Sequence, residues 1–169
     1  MKNILEIKDL VIHYETDESV VEAVNKVNLK LAQGDTLGIV GETGAGKTTL
    51  AKGIMDLIPD PPGKVKGGQI FYNGEDLLSF TEAEMRNVRG KEISMIFQDP
   101  MTSLNPVMTV GDQIAEVIQN HNKLSKKESD KRAKQMLELV GIPADRSGEY
   151  AHQFSGGRAP ARRGCRPPR

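Results

Sequence analysis

Residues 36–57 constrain the fold of this chain more than any other stretch. A short apolar run, Thr36-Leu37-Gly38-Ile39-Val40, leads into the loop Gly41-Glu42-Thr43-Gly44-Ala45-Gly46-Lys47-Thr48. Thr48 to Leu57 then carries the pattern of a helix, which Pro59, Pro61, Pro62 and Gly63 break. A short apolar run bounded by turn residues reads as a buried strand. Strand, glycine loop and helix in this order predict an α/β core. The loop fits the pattern Gly, four residues, Gly-Lys-Ser/Thr, in the strand-to-helix context that the pattern requires. Its glycines let the backbone curl so that successive N–H groups converge on an anion. The helix beginning near Lys47 adds its positive dipole end. From the chemistry of such loops, Lys47 is expected to reach the β- and γ-phosphates of a nucleoside triphosphate, and the Thr48 hydroxyl to ligate Mg2+. The alternative is a glycine-rich turn that matches by chance; the flanking strand and helix argue against it. The motif does not choose among kinases, GTPases, motors and transporters.

Bulk properties exclude several classes. The chain has 169 residues, enough for one domain with a core, and 37% of them are hydrophobic. A mean hydropathy of −0.44 fits a folded soluble chain. Basic and acidic residues number 23 each, so no charge excess points to nucleic acid. Cys165 is the single cysteine, which rules out an internal disulfide and suggests a reducing compartment. No apolar run approaches the roughly 18 residues of a membrane span. Lys2, Glu6 and Lys8 interrupt the N-terminal stretch, so no secretion signal is expected. Any membrane role is expected to come through partner proteins. His13, His121 and His152 have no ligand partners at metal-site spacing.

Along the chain, Ile4 to Tyr14, Val20 to Val24 and Val27 to Leu31 read as strands, and Gln33-Gly34-Asp35 as a turn. Gly68 to Tyr72 reads as a strand ending in the tight turn Asn73-Gly74. Thr81 with Glu84 three residues on is a capping-box pattern for a short helix to Arg89. Ile93 to Phe97 is another apolar strand. From about residue 100 to 153 the period becomes helical: Val110, Ile114, Val117 and Ile118 share one face, and Ala133, Met136, Leu137 and Val140 another. The charges from Lys123 to Lys134 read as a solvated helix face.

Two further stretches narrow the class. They are Phe97-Gln98-Asp99-Pro100-Met101-Thr102-Ser103-Leu104-Asn105-Pro106 and His152-Gln153-Phe154-Ser155-Gly156-Gly157. With the phosphate loop, in this order, they resemble the ATPase domain of ABC transporters. More narrowly they resemble the oligopeptide, dipeptide and nickel importer group, as does Leu57-Ile58-Pro59-Asp60-Pro61-Pro62-Gly63. The resemblance covers residues 1–157. It implies a P-loop NTPase of ABC type, with an N-terminal antiparallel β part, a partial parallel core sheet and a helical subdomain. The core would span about 1–99 and the helical part about 100–157.

The resemblance also assigns roles. Tyr14 would stack on adenine. Gly41, Glu42, Thr43, Gly44, Ala45, Gly46, Lys47, Thr48 and Thr49 would hold the phosphates. Gln98 would contact Mg2+ and the attacking water and sense the membrane partner. Ser155, Gly156 and Gly157 would bind the γ-phosphate of ATP held by the opposite subunit. The rival reading makes Asp99 an Mg2+ ligand after an apolar strand; the Gln98-Asp99-Pro100 context favours the glutamine. The implied function is ATP-driven import of peptides, nickel or a related solute at the cytoplasmic face of the membrane. The implied partners are two permeases, a second homologous ATPase and an extracytoplasmic solute-binding protein. A soluble ABC-type ATPase acting on nucleic acid or ribosomes is the less favoured alternative, since neither a second cassette nor a long coiled-coil insertion is present.

The chain departs from the group at residue 158. Arg158 to Arg169 holds five arginines and three prolines, without Val, Ile, Leu, Phe or an acid, and is expected to be disordered. An apolar strand ending in Asp-Glu and a later switch histidine, both required for hydrolysis in the group, are missing. The one Asp-Glu pair, Asp17-Glu18, follows no apolar strand. The chain is therefore expected to be an incomplete domain, inactive alone, and a non-catalytic nucleotide-binding fragment is the alternative function. Codons for Arg-Gln-Arg-Val read out of frame give Ala-Pro-Ala-Arg, the sequence of residues 159–162, so a frameshift near codon 158 is one hypothesis and a genuine short protein the other. Resequencing downstream of the Ser155 codon separates them. Parallel strands are ordinarily covered on both faces, and one without neighbours exposes apolar surface and unpaired N–H and C=O groups. The purified chain is expected to be poorly soluble or partly folded. A sharp cooperative thermal transition would count against this.

Overall fold

Runs of Ile, Leu and Val early in the chain build one antiparallel sheet, and the later helical periods build a helix pair. In the computed structural model, residues 3–99 and 103–154 are described. The chain divides into two units, Met1–Arg89 and Gly90–Arg169, each taken by itself.

In the first unit β1 (Asn3–Glu15), β2 (Val20–Ala32), β3 (Gly63–Tyr72) and β4 (Glu75–Asp76) form a sheet in the order β2-β1-β3-β4, antiparallel throughout. Ile7, Leu10 and Ile12 of β1 bury almost completely with Val24 and Ile70. Ile7 and Leu10 are three residues apart, which breaks the period of two that puts side chains on one face. A bulge restores it: Asp9 is left-handed (φ 45°) and the register shifts between Ile7 and Leu10. Asn28 clamps the bulge, accepting from the Asp9 N–H (3.1 Å) and donating to its carboxylate (2.9 Å). Across from it, a Cβ on Gly68 would stand 2.5 Å from the Leu10 Cα. A second left-handed residue, Lys26 (φ 47°), lies between the two apolar runs expected as separate strands; they are one strand, β2. Asn73 and Gly74, both with positive φ, close the two-residue hairpin between Tyr72 and Glu75, as their sequence indicates.

Helix α1 (Lys47–Ile54) packs on β1, where a Cβ on Gly53 would stand 2.7 Å from Ile12 Cδ1. It ends three residues before the expected Leu57. Asp56 turns left-handed (φ 51°), and the Arg89 guanidinium donates to the Met55 and Asp56 carbonyls (2.7 and 2.8 Å) and to Glu82 of α2 (Glu82–Val88; 2.9 Å). The expected capping box of Thr81 and Glu84 is formed at the start of α2.

In the second unit α3 (Val110–Asn122) packs on α4 (Lys126–Leu139) through Ala115, Ile118 and Ala133, with Ile114 and Met136 against them. Val117, expected on this face, is 52% exposed; Gly111 and Ala115 take the inner positions. Ser125 and Glu128 form a capping box on α4. Ser129 is fully buried and its hydroxyl has no partner among the described residues.

One expected element is not formed. No parallel pair occurs among the described residues, and neither 36–40 nor 93–97 belongs to a strand. Leu37, Ile39 and Val40 are 47%, 48% and 94% exposed, and Ile96 63%. The apolar runs carry strand character, but a ladder needs a second backbone along its length. Among the described residues Ile93 makes a single bridge, with the Gly90 N–H donating to its carbonyl (2.8 Å), and the run goes no further as a strand.

Two outcomes follow from this packing. Ser129→Ala removes a buried unsatisfied hydroxyl and is expected to stabilise the helix pair by about 1 kcal/mol in thermal melts followed at a helical wavelength; destabilisation would show that the hydroxyl has a partner. The Thr81 N–H and hydroxyl hold Glu84 below the ordinary glutamate range, and the Ser125 hydroxyl and N–H do the same for Glu128. A depressed carboxyl contributes stability above its unfolded value and loses it as pH falls through the folded one. Helix content should therefore drop on acidification below the ordinary glutamate range, and less so in a Glu84→Gln, Glu128→Gln double variant.

Candidate functional site

The glycine loop is held from its downstream end. Gly46 caps α1 in a left-handed conformation (φ 77°), and a Cβ there would stand 2.0 Å from the Ala23 carbonyl oxygen. Only glycine allows the loop to lie this close to β2. Gly44 is also left-handed (φ 86°) but faces open space. The Ala45 N–H donates to the Glu42 carbonyl (3.2 Å), which closes the curl. Lys47 lies inside it: Nζ donates to the carbonyls of Gly41 (2.7 Å) and Glu42 (2.6 Å).

The electrostatics favour an anion. No side chain caps the start of α1 and its first turn has no acid. Its leading N–H groups thus lack a side-chain acceptor, and the helix dipole places partial positive charge there. Among the described residues Lys47 makes no ion pair, only the two carbonyl bonds. A phosphate oxygen, carrying full charge, makes a stronger charge-assisted hydrogen bond than a neutral carbonyl does. Thr43 and Thr48 are exposed beside the loop. The residues present fit a polyphosphate.

Tyr14 stands beside this loop near the end of β1, paired with Val21 of β2 and Gly63 of β3. Its phenol oxygen is 3.5 Å from Thr49 Oγ1 in the first turn of α1. Val21 is 54% exposed. Tyr14, the loop 41–48 and Thr49 therefore form one cluster. Sequence reading gave their identities but missed the roles of Ala23 and Gly63; Gly63 read as part of a helix breaker and of the segment 57–63 that resembles the importer group.

Gln98 lies in the second unit and is exposed, directly after the segment 93–97, which belongs to no strand. In the same unit Gln113 fastens the loop that follows residue 103. Its side chain accepts from the Asn105 N–H (3.0 Å) and donates to the Asn105 and Met108 carbonyls (3.0 and 3.1 Å). Arg146, which the sequence did not single out, holds residues 149–154. It donates twice to Glu149 (2.9 and 2.7 Å) and to the Gln153 carbonyl (3.3 Å), and its guanidinium lies 4.3 Å from the centre of the Phe154 ring. Its hydrogen bond holds Glu149 below the ordinary carboxylate range. The i, i+3 spacing of Arg146 and Glu149 was the available signal. Ser155, Gly156 and Gly157, and the tail 158–169, lie outside the described residues. Among those described, no helix is long and apolar enough to cross a membrane.

Comparison with known proteins places these features in a family. The family described as "ABC transporter" matches residues 24–161. The oligopeptide transport ATP-binding protein OppD of Bacillus subtilis is 54% identical over 156 residues, covering 91% of this chain and 44% of that protein. The dipeptide transport ATP-binding protein DppD of the same organism is 46% identical over 159 residues, covering 93% and 48%. The chain thus spans a little under half the length of these curated relatives. Among solved structures, the ATP-binding cassette MJ0796 matches as a dimer in a post-hydrolysis state with ADP and Pi, with a TM-score of 0.72. A second dimeric MJ0796 structure matches with 0.75. Both are 23% identical and cover 90% of this chain and 64% of theirs, which shows the fold alone.

The two left-handed glycines give a paired test of the loop geometry. Gly44→Ala should cost only the left-handed penalty, about 1 kcal/mol. Gly46→Ala adds a collision with the Ala23 backbone and should cost more than about 2 kcal/mol. Equal shifts in the thermal midpoints of the two variants would contradict the contact with β2.

Proposed function

Because the chain belongs to the ABC transporter family, we propose that it supplies the ATP-binding face of a subunit that energises solute import. The glycine loop with Lys47 at its centre, seated against β2 ahead of an acid-free helix start, carries this reading. On nucleotide binding, Lys47 exchanges the Gly41 and Glu42 carbonyls for β- and γ-phosphate oxygens, and the loop N–H groups and the start of α1 take the rest of the phosphate charge. Tyr14 stacks on the base. The Thr48 hydroxyl and the Gln98 side-chain oxygen are the groups that would ligate Mg2+, which when bound neutralises phosphate charge. Gln98 also orients the attacking water.

In the complete assembly, Ser155, Gly156 and Gly157 face the γ-phosphate of ATP held on a second homologous ATPase, so each site draws on two chains. Hydrolysis coupled to the closing of that pair drives two permeases, which receive solute from an extracytoplasmic binding protein. The subunit sits at the cytoplasmic face of the membrane and contacts it through the permeases. The relatives are named for oligopeptide and dipeptide transport, and a peptide is the solute favoured for this chain; nickel is the second choice.

Titration calorimetry with ATP and Mg2+ tests the reading. The chain should bind, and Lys47→Ala should weaken binding roughly ten- to a hundredfold, the effect of losing hydrogen bonds to a charged group. Equal affinity in the two proteins, or no binding by the unmodified chain, would sink it.

A further inference from the structure

We propose that Thr49 is a positioning residue for the Tyr14 ring, linking the base-binding and phosphate-binding halves of the site; this rests on the nucleotide reading above. Tyr14 is held at two points. One ring edge lies against β3, where a Cβ on Gly63 would stand 2.9 Å from Tyr14 Cε1. The phenol oxygen meets Thr49 Oγ1 at 3.5 Å, across 35 residues of sequence. The backbone beneath is fixed as well, since the Glu15 N–H donates to the Pro62 carbonyl (2.7 Å). A tyrosine on a strand surface ordinarily samples several side-chain rotamers. Here the Gly63 edge limits the ring on one side and the hydroxyl contact selects its setting on the other.

Thr49 follows Lys47 and Thr48 directly in the first turn of α1. Its position is therefore set by the same Gly46 seat and the same Gly53–Ile12 packing that place the phosphate cradle. A ligand carrying both base and phosphates meets a ring whose angle is referenced to the cradle. A ligand with phosphates alone gains nothing from that angle. At 3.5 Å the contact is at the outer limit of a hydrogen bond, so its removal should weaken binding only about threefold.

The test is a double-substitution cycle on this chain, with Tyr14→Phe, Thr49→Val and both together. Affinities for ATP and for inorganic tripolyphosphate, each with Mg2+, are read by calorimetry. For ATP, each single change should raise Kd about threefold and the double change no further. In a Thr49→Ser background, which keeps the hydroxyl, Tyr14→Phe should still raise Kd for ATP about threefold, as it does not in the Thr49→Val background. For tripolyphosphate the two changes should show no such coupling. Additive effects on ATP would overturn the inference while leaving nucleotide binding intact. Equal coupling for both ligands would also overturn it, showing that the contact only supports the fold. Failure of the unmodified chain to bind either ligand would overturn the nucleotide reading and this inference with it.

Discussion

The site depends on one backbone-to-backbone approach, that of Gly46 to the Ala23 carbonyl. A side chain at residue 46 would need space that β2 occupies, so the loop sits where it does because that residue has none. The consequence spreads through covalent and ladder connections. β2 pairs with β1, β1 carries Tyr14, and α1 starts at the next residue and rests on Ile12 of the same strand. Loop, ring and helix are three attachments to two adjacent strands. The sheet is therefore more than a support: its register decides which residues stand around the loop.

This explains why the loop holds its curl although the run entering it does not join a ladder. Leu37, Ile39 and Val40 remain largely exposed and unpaired among the described residues. A loop positioned only by its entering strand would have no fixed place here. It is positioned instead from downstream, by the Gly46 seat and by Leu50 and Gly53 inside α1. The apolar run is the part of the expected core that its own pattern marks for burial and that the rest of the first unit leaves uncovered. An exposed, strand-prone apolar segment of this kind is a site where other backbones add.

What the sequence revealed divides along the range of the interactions involved. The Asn73-Gly74 hairpin and the capping box of Thr81 and Glu84 are complete within four residues, so their chemistry can be read directly. So can the glycine loop, whose lysine bonds to carbonyls five and six residues back. The end of α1 could not be read, because Arg89, more than thirty residues on, holds the turn that stops it. The strands at 36–40 and 93–97 failed for the same reason in reverse: the pattern is local but the ladder is not. Val117 was misplaced because a helical face is set by what packs on it: Ala115 and Ile118 meet Ala133 of α4, and Gly111 is where the Ser147 backbone comes close, a Cβ there standing 2.7 Å from its carbonyl oxygen. Tyr14 was found only through family resemblance; its contact with Thr49 belongs to the fold.

Lys47 shows how a binding site can be folded before its ligand arrives. An unpaired ammonium next to a helix N-terminus is opposed by the partial positive charge of that terminus. The two carbonyls of Gly41 and Glu42 offset this by offering negative dipoles at 2.7 and 2.6 Å, and they close the loop around the lysine. The same arrangement limits how tightly anions bind, since any phosphate must compete with both carbonyls. Monovalent anions offer one charge for two lost bonds. A polyphosphate offers several charges, enough to engage the lysine and the helix start together. Preference for a chain of phosphates over a single small anion thus follows from the loop holding its own cation, before any contact with a base is considered.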